Sequence, residues 1–322
     1  MRGPYRPGSM TEFLNGHGGA RRDDVRLTRR PGPSRVCAPG RVTSARRPYP
    51  DIAPPTEGSA MPVHATCKRL WALDSPSFTL DASTLMYGLS GELTVPLPAY
   101  LIEHPKGLVL FDTGLVPEAH DDPEAVYGEL ATMTKLAVKP EQRLDRQLAA
   151  LGYKTSDVTH VIASHSHLDH TGGLSLFPQA KFYAGEGELP FAFWPTSVGA
   201  GFFRTADIEA TRHFDWNYIP GVDVDLFGDG SLTVLFTPGH TPGELSLLVR
   251  LPSRTFILTG DTAHLRAAFE QEVHFPIDSD TEDAVRSLRR LKLLRDAADA
   301  TVWITHDPDD WAAFGHAPHC YE

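Results

Sequence analysis

Six consecutive residues, His165-Ser166-His167-Leu168-Asp169-His170, place three imidazoles and a carboxylate within reach of one another. So dense a set of lone pairs is either scattered into solvent or gathered around a cation. Neutral imidazole and carboxylate are the ligands that zinc takes in hydrolytic sites. The absence of cysteine from the segment suits a catalytic ion over a structural one. In an extended segment side chains alternate, so His165 and His167 share a side while Asp169 and His170 turn elsewhere. One short segment can therefore serve two metal ions.

The pattern around this segment is that of strands that end in polar groups. Leu93–Ile102 reads as an apolar run, followed by a strand over Gly107–Phe111 that ends at Asp112-Thr113-Gly114. Residues 141–151 carry helical spacing at Leu144, Leu148 and Leu151, closed by Gly152. A short buried strand from His160 leads directly into His165, and Lys181–Ala184 reads as another. Phe227-Gly-Asp-Gly230 is a hairpin signal, and its second arm, Leu232–Phe236, delivers Thr-Pro-Gly-His240. Glu244–Arg250 and Thr255–Leu258 form a further hairpin that exits at Asp261. A helix over Thr281–Ala298 precedes the last strand, Thr301–Ile304, which ends at His306. Five polar groups reached by the same route, just past a strand, point to convergence on one site.

In order and spacing, HSHLDH, His240 in Thr-Pro-Gly-His-Thr-Pro-Gly, Asp261 in Thr-Gly-Asp, and His306 resemble the metallo-β-lactamase superfamily over roughly residues 66–310. The resemblance implies an α+β fold, an αββα four-layer sandwich with metals at one edge of two packed sheets. It implies two Zn2+ per chain: His165, His167 and His240 at the first, Asp169, His170 and His306 at the second, and Asp261 bridging. Two such ions hold a water and lower its pKa toward ~7, so that a bridging hydroxide attacks at neutral pH. Asp169 stands beside the departing group and can return a proton to it. Asp112 either orients a ligand histidine or stabilises its own turn.

Within the superfamily the chain looks most like the N-acyl homoserine lactonases. The likeness extends through Pro98–Ile102, Leu110–Gly114, Arg143–Gly152, Phe269–Phe275 and His306-Asp307. The implied reaction is opening of an acyl homoserine lactone or related lactone; the alternative is another ester, a thioester as in glyoxalase II, or a phosphotriester. Many of these lactonases place a tyrosine three residues after the bridging aspartate, whereas this chain has His264. An imidazole can donate the same kind of hydrogen bond to an oxyanion. For the acyl chain an apolar wall is needed. The candidates are Tyr127 and Met133 after Asp112, and Phe193, Trp194 and Phe202 in an aromatic stretch read as a loop. The other reading of these aromatics is a satellite core.

Composition narrows the partners. The formal net charge is −11, and residues 1–60, with eleven arginines and five acidic residues, carry +6, leaving −17 for residues 61–322. So acidic a body is not expected to bind nucleic acid. No apolar run is long enough for a membrane helix, and Arg21-Arg22 is followed by Asp23-Asp24, which does not fit an export signal. Three separated cysteines, Cys37, Cys67 and Cys320, suit a reducing cytoplasm. Residues 1–60, rich in Pro and Gly, are expected either as an unpacked basic extension or as sequence upstream of a start at Met61, with the hydrolase domain over 61–322. The expected partner is a small acyl lactone or ester, and the expected assembly a monomer or homodimer.

Overall fold

The computed structural model describes residues 66–196 and 198–322. The extension over 1–60 and the start at Met61 lie outside the described residues. In chain order the strands are β1 (Arg69–Ala72), β2 (Ser77–Asp81), β3 (Glu92–Pro96), β4 (Tyr100–His104), β5 (Gly107–Phe111), β6 (Val158–Ile162), β7 (Lys181–Gly185), β8 (Asp215–Ile219), β9 (Val224–Asp225), β10 (Leu232–Phe236), β11 (Leu245–Arg250), β12 (Thr255–Leu258) and β13 (Ala300–Trp303). They form a six-stranded sheet in the order β1-β4-β5-β6-β7-β8, a five-stranded sheet in the order β13-β12-β11-β10-β9, and the hairpin β2-β3.

Strand alternation explains the layering. On β5, Val109 and Phe111 face the other sheet while Leu108 and Leu110 face the outer helices. On β12, Phe256 and Leu258 point inward, and Ile257 packs outward with Leu288 and Leu291 of the Thr281–Ala298 helix. These two strands are thus covered on both faces, which is why they read as nearly continuous apolar runs. The result is the expected sandwich of helices, sheet, sheet and helices. Among the described residues no helix is long and apolar enough to cross a membrane.

Several local expectations shift. The helix over 141–151 divides into a 3-10 turn, Pro140–Gln142, and an α-helix, Leu144–Ala150. Arg143 between them is extended at ψ 132°, and the Gln142 side chain turns back to accept from Lys139 N. Gly152, at φ +85°, ends the helix as its sequence position requires. The strand before His165 stops at Ile162, because Ser164 N–H donates to the Asp112 carboxylate at 2.7 Å instead of to a neighbouring strand. The aromatic stretch is not one loop: Glu188–Phe193 is a short helix and Val198–Phe202 a 3-10 turn.

Strand direction positions the site. β5 and β6 are parallel, and β12 and β13 are parallel; β10 and β12 both run antiparallel to β11, hence in the same sense as each other. Within each sheet, then, the polar groups that follow these strands emerge at one edge.

Candidate metal centre

His165, His167, Asp169, His170, His240, Asp261 and His306 meet at this edge, and none exposes more than 6% of its surface. Potential ligand atoms of His165, His167, His240 and Asp261 lie within 4.8 Å of one another, as do those of Asp169, His170 and His306. Asp261 stands between the two groups. Its Oδ1 is 2.9 Å from His306 Nε2 and 3.3 Å from His170 Nε2. Its Oδ2 is 3.5 Å from His240 Nε2 and 3.6 Å from His165 Nε2.

The inward orientation of these rings is fixed from behind. His170 Nδ1 lies 2.9 Å from Asp112 Oδ2, His240 Nδ1 3.0 Å from Asp278 Oδ1, and His306 Nδ1 2.6 Å from Pro96 O. His165 Nδ1 is 3.3 Å from Glu244 Oε2. The acceptors behind His170, His240 and His306 favour the proton on Nδ1 and turn Nε2 inward, whereas His167 turns its Nδ1 toward His240 Nε2 at 3.1 Å. Glu244 Oε1 also accepts from Asp261 N at 2.8 Å, and buried Glu188 accepts from Ser166 N at 2.7 Å, between two ligand histidines. Gly260 sits at φ +54°, where a Cβ would come within 2.5 Å of Glu244 Oε1, so a side chain there would disrupt the delivery of Asp261.

A cation fits this set. His165 Nε2, His170 Nε2 and Asp261 Oδ1 are buried without hydrogen-bond partners. Buried polar atoms left without partners are costly in a protein interior, and a cation in their midst would supply the missing partner. Hard carboxylate and borderline imidazole donors, with no thiolate, match a zinc-type ion.

The electrostatics divide the same way. Burial holds His165 and His167 well below the usual imidazole range, so both are neutral at pH 7. Burial would also depress His170 and His306, but the carboxylates, Asp261 foremost, outweigh it and raise both. Burial would raise Asp169, yet His170 and His306 bring it down to about 2. Burial and the nearby Asp261 raise Glu244 well above the carboxylate range.

A cleft of about 390 Å³ opens onto the metal-facing groups His167, Asp169, His240, Asp261 and His306. Its apolar wall comes from Phe78, Leu80, Leu85 and Val95 on and near the β2-β3 hairpin, together with Phe202, Phe275 and Ile277. Of the five expected wall residues, the cleft is lined by Phe202 alone. Tyr127 turns its hydroxyl to accept from Val116 N and packs with the hairpin cluster. Met133 is 39% exposed and Trp194 79% exposed, while Phe193 packs into the outer layer against the six-stranded sheet. His264 does line the cleft: its Nε2 is 3.0 Å from Asp261 Oδ2, and its ring stacks on Phe275 at 3.7 Å. Asp112, at φ +64°, places its Oδ2 2.9 Å from His170 Nδ1.

Sequence reasoning missed Glu244, Asp278 and Glu188. Glu244 lies four residues beyond His240, inside the Thr-Pro-Gly-His-Thr-Pro-Gly-Glu run, and could have been found there. Asp278 and Glu188 carry no local signal; each is defined by a contact distant in the chain.

The comparisons with known proteins agree with this geometry. The sequence profile of the metallo-β-lactamase superfamily matches residues 95–306. The chain is 37% identical over 259 residues to the N-acyl homoserine lactonase AttM of Rhizobium radiobacter, covering 79% of this chain and 98% of that one. It is 29% identical over 249 residues to the N-acyl homoserine lactonase AiiA of Bacillus thuringiensis subsp. kurstaki, covering 75% and 94%. The solved structure of an N-acyl homoserine lactone hydrolase, with the product N-hexanoyl-L-homoserine at its catalytic metal center, superposes with a TM-score of 0.70 at 26% identity. That match covers 80% of this chain and 100% of the other.

Proposed function

The chain belongs to the metallo-β-lactamase superfamily and is a metal-dependent hydrolase, and on that premise we propose that it opens the ring of N-acyl homoserine lactones. The observation that carries this reading is the pair of buried His/Asp groups at the floor of an apolar cleft, with Asp261 in one group and its Oδ1 within 3.3 Å of His170 and His306 of the other. We infer that His165, His167 and His240 hold one zinc ion, that Asp169, His170 and His306 hold a second, and that Asp261 serves both. When bound, such a pair of ions supplies charge that polarises an ester carbonyl and makes water acidic enough to attack near neutral pH.

The chain's own residues do the rest. The apolar wall from Phe78 to Val95 and the Phe275–Ile277 segment receive the acyl chain and exclude water from the reacting end. Asp169, ionised at neutral pH, takes a proton from the attacking water and returns it to the ring oxygen as the C–O bond breaks. His264, which lines the cleft with its Nε2 3.0 Å from Asp261 Oδ2, would donate a hydrogen bond to the developing oxyanion once Asp261 holds a cation. Asp112 holds His170 in register. We take the hydrolase unit to be residues 61–322, acting in the cytoplasm as a monomer or homodimer, with no nucleic-acid partner.

A panel of substrates on the zinc-loaded protein tests this. Hexanoyl homoserine lactone should release one acid per ring with a kcat/KM far above that for glutathione thioesters, followed by thiol release, or for phosphotriesters. Equal or better turnover of a thioester would assign the centre to a different substrate class.

A further inference from the structure

We propose that Asp278 is a positioning residue that transmits occupancy of the apolar cleft to His240, so that acyl-chain length is read in the chemical step as well as in binding. The inference rests on the lactonase reading above, and on one four-residue turn. Phe275 and Ile277 of this turn line the cleft. Asp278 closes it: its Oδ2 accepts from Phe275 N at 2.8 Å, and its backbone N–H donates to Phe275 O at 3.1 Å. The other carboxylate oxygen, Oδ1, lies 3.0 Å from His240 Nδ1. The Asp278 side chain is buried, 3% exposed, so neither contact is diluted by solvent.

One carboxylate therefore joins a substrate-facing wall to a metal-facing ring. The neighbouring backbone reinforces the link, because Ser279 N donates to His240 O and Asp280 N to Gly239 O. The Phe275 ring adds a second contact, stacked on His264 at 3.7 Å and 5.5 Å from the His240 ring. An acyl chain long enough to press on Phe275 and Ile277 holds the turn, and with it both imidazoles, in one arrangement. A short chain leaves the turn freer. Binding energy from a part of the substrate remote from the ring is then spent on the geometry of the reacting end, which raises kcat and not only affinity.

The test compares the full, zinc-loaded chain with Asp278→Asn and Ile277→Ala, the second of which leaves the Asp278–His240 contact in place and covers the case in which the first does not fold. With homoserine lactones from butanoyl to decanoyl, wild-type kcat should rise about tenfold, and in both variants the rise should shrink to about twofold or less, while in Asp278→Asn KM still falls with chain length. A second readout needs no turnover. At saturating ring-opened acid, the decanoyl compound should slow zinc loss to a chelator several-fold more than the butanoyl compound in the wild type, and equally in the variants. A kcat lowered by the same factor at every chain length in Asp278→Asn, or a difference in zinc loss that survives there, would overturn the proposal. Absence of any lactone turnover by the wild type would instead strike the substrate assignment, and the zinc-loss comparison would still decide the coupling.

Discussion

Asp112 Oδ2 lies 2.9 Å from His170 Nδ1 across 58 positions of sequence, while Asp112 Oδ1 accepts the backbone N–H of Ser164 at 2.7 Å. A single carboxylate thus fixes both a metal-facing ring and the backbone that leads into the HSHLDH segment. It does so from φ +64°, a conformation that Asp and Asn tolerate better than other side chains.

Asp112→Asn should keep the turn but weaken the hold on His170, costing about 10–100-fold in zinc affinity at the second group. Asp112→Ala should lose the same affinity and, in addition, about 1–3 kcal/mol of stability, because the buried Ser164 N–H is left without an acceptor. Chelator competition and thermal unfolding of the two variants separate these effects. Equal unfolding temperatures would mean that the Ser164 contact contributes nothing.

His264 lines the cleft with its Nε2 3.0 Å from Asp261 Oδ2, and with Asp261 and His306 it forms a third group whose ligand atoms lie within 4.8 Å of one another. His264→Ala should retain its zinc and lose about 10²-fold in kcat, the usual loss for an oxyanion donor. His264→Tyr, which restores a donor of similar reach, should recover much of that loss. Zinc content and steady-state kinetics on the same preparations check both; loss of zinc in the alanine variant would make His264 a ligand.

Asp207 offers a pH dependence away from the metal groups. Burial pushes its carboxyl up to about 6, against the opposing pull of Arg204. The folded protein therefore holds this proton more tightly than the unfolded chain does. The stability it adds is present in acid and is lost as pH rises from about 4, the unfolded value, through about 6. The stability of the wild type relative to Asp207→Asn should fall across that window and be level above it. Chemical denaturation at a series of pH values measures the slope, and a flat difference would contradict the assignment.

The metal-facing residues were legible because ligands of this kind come in short motifs that follow apolar runs, and strand ends converge wherever strands share a direction. Helix Thr281–Ala298 was legible from apolar positions at helical spacing, of which Ala284, Leu288 and Leu291 are buried. The cleft wall was not. Aromatic density drew attention to Phe193 and Trp194, but composition does not say which way a ring points, and the short helix Glu188–Phe193 carries them away from the cleft. The wall is built instead by Phe78, Leu80, Leu85 and Val95, ordinary residues made functional by where the β2-β3 hairpin lies. Asp278 and Glu188 escaped because a single buried carboxylate looks like any surface one until its partner, 38 or 22 positions away, is known.

The claim beneath all of this is that two cations are held by seven side chains through one shared carboxylate. Elemental analysis of the full chain, supplied with zinc and dialysed, beside Asp261→Ala prepared identically, tests it most directly. The account predicts about two zinc ions per wild-type chain and loss of at least one, with nearly all hydrolytic activity, in the variant. A wild-type chain that hydrolyses the lactone while holding no metal, or an Asp261→Ala chain that keeps two ions and full activity, would contradict it.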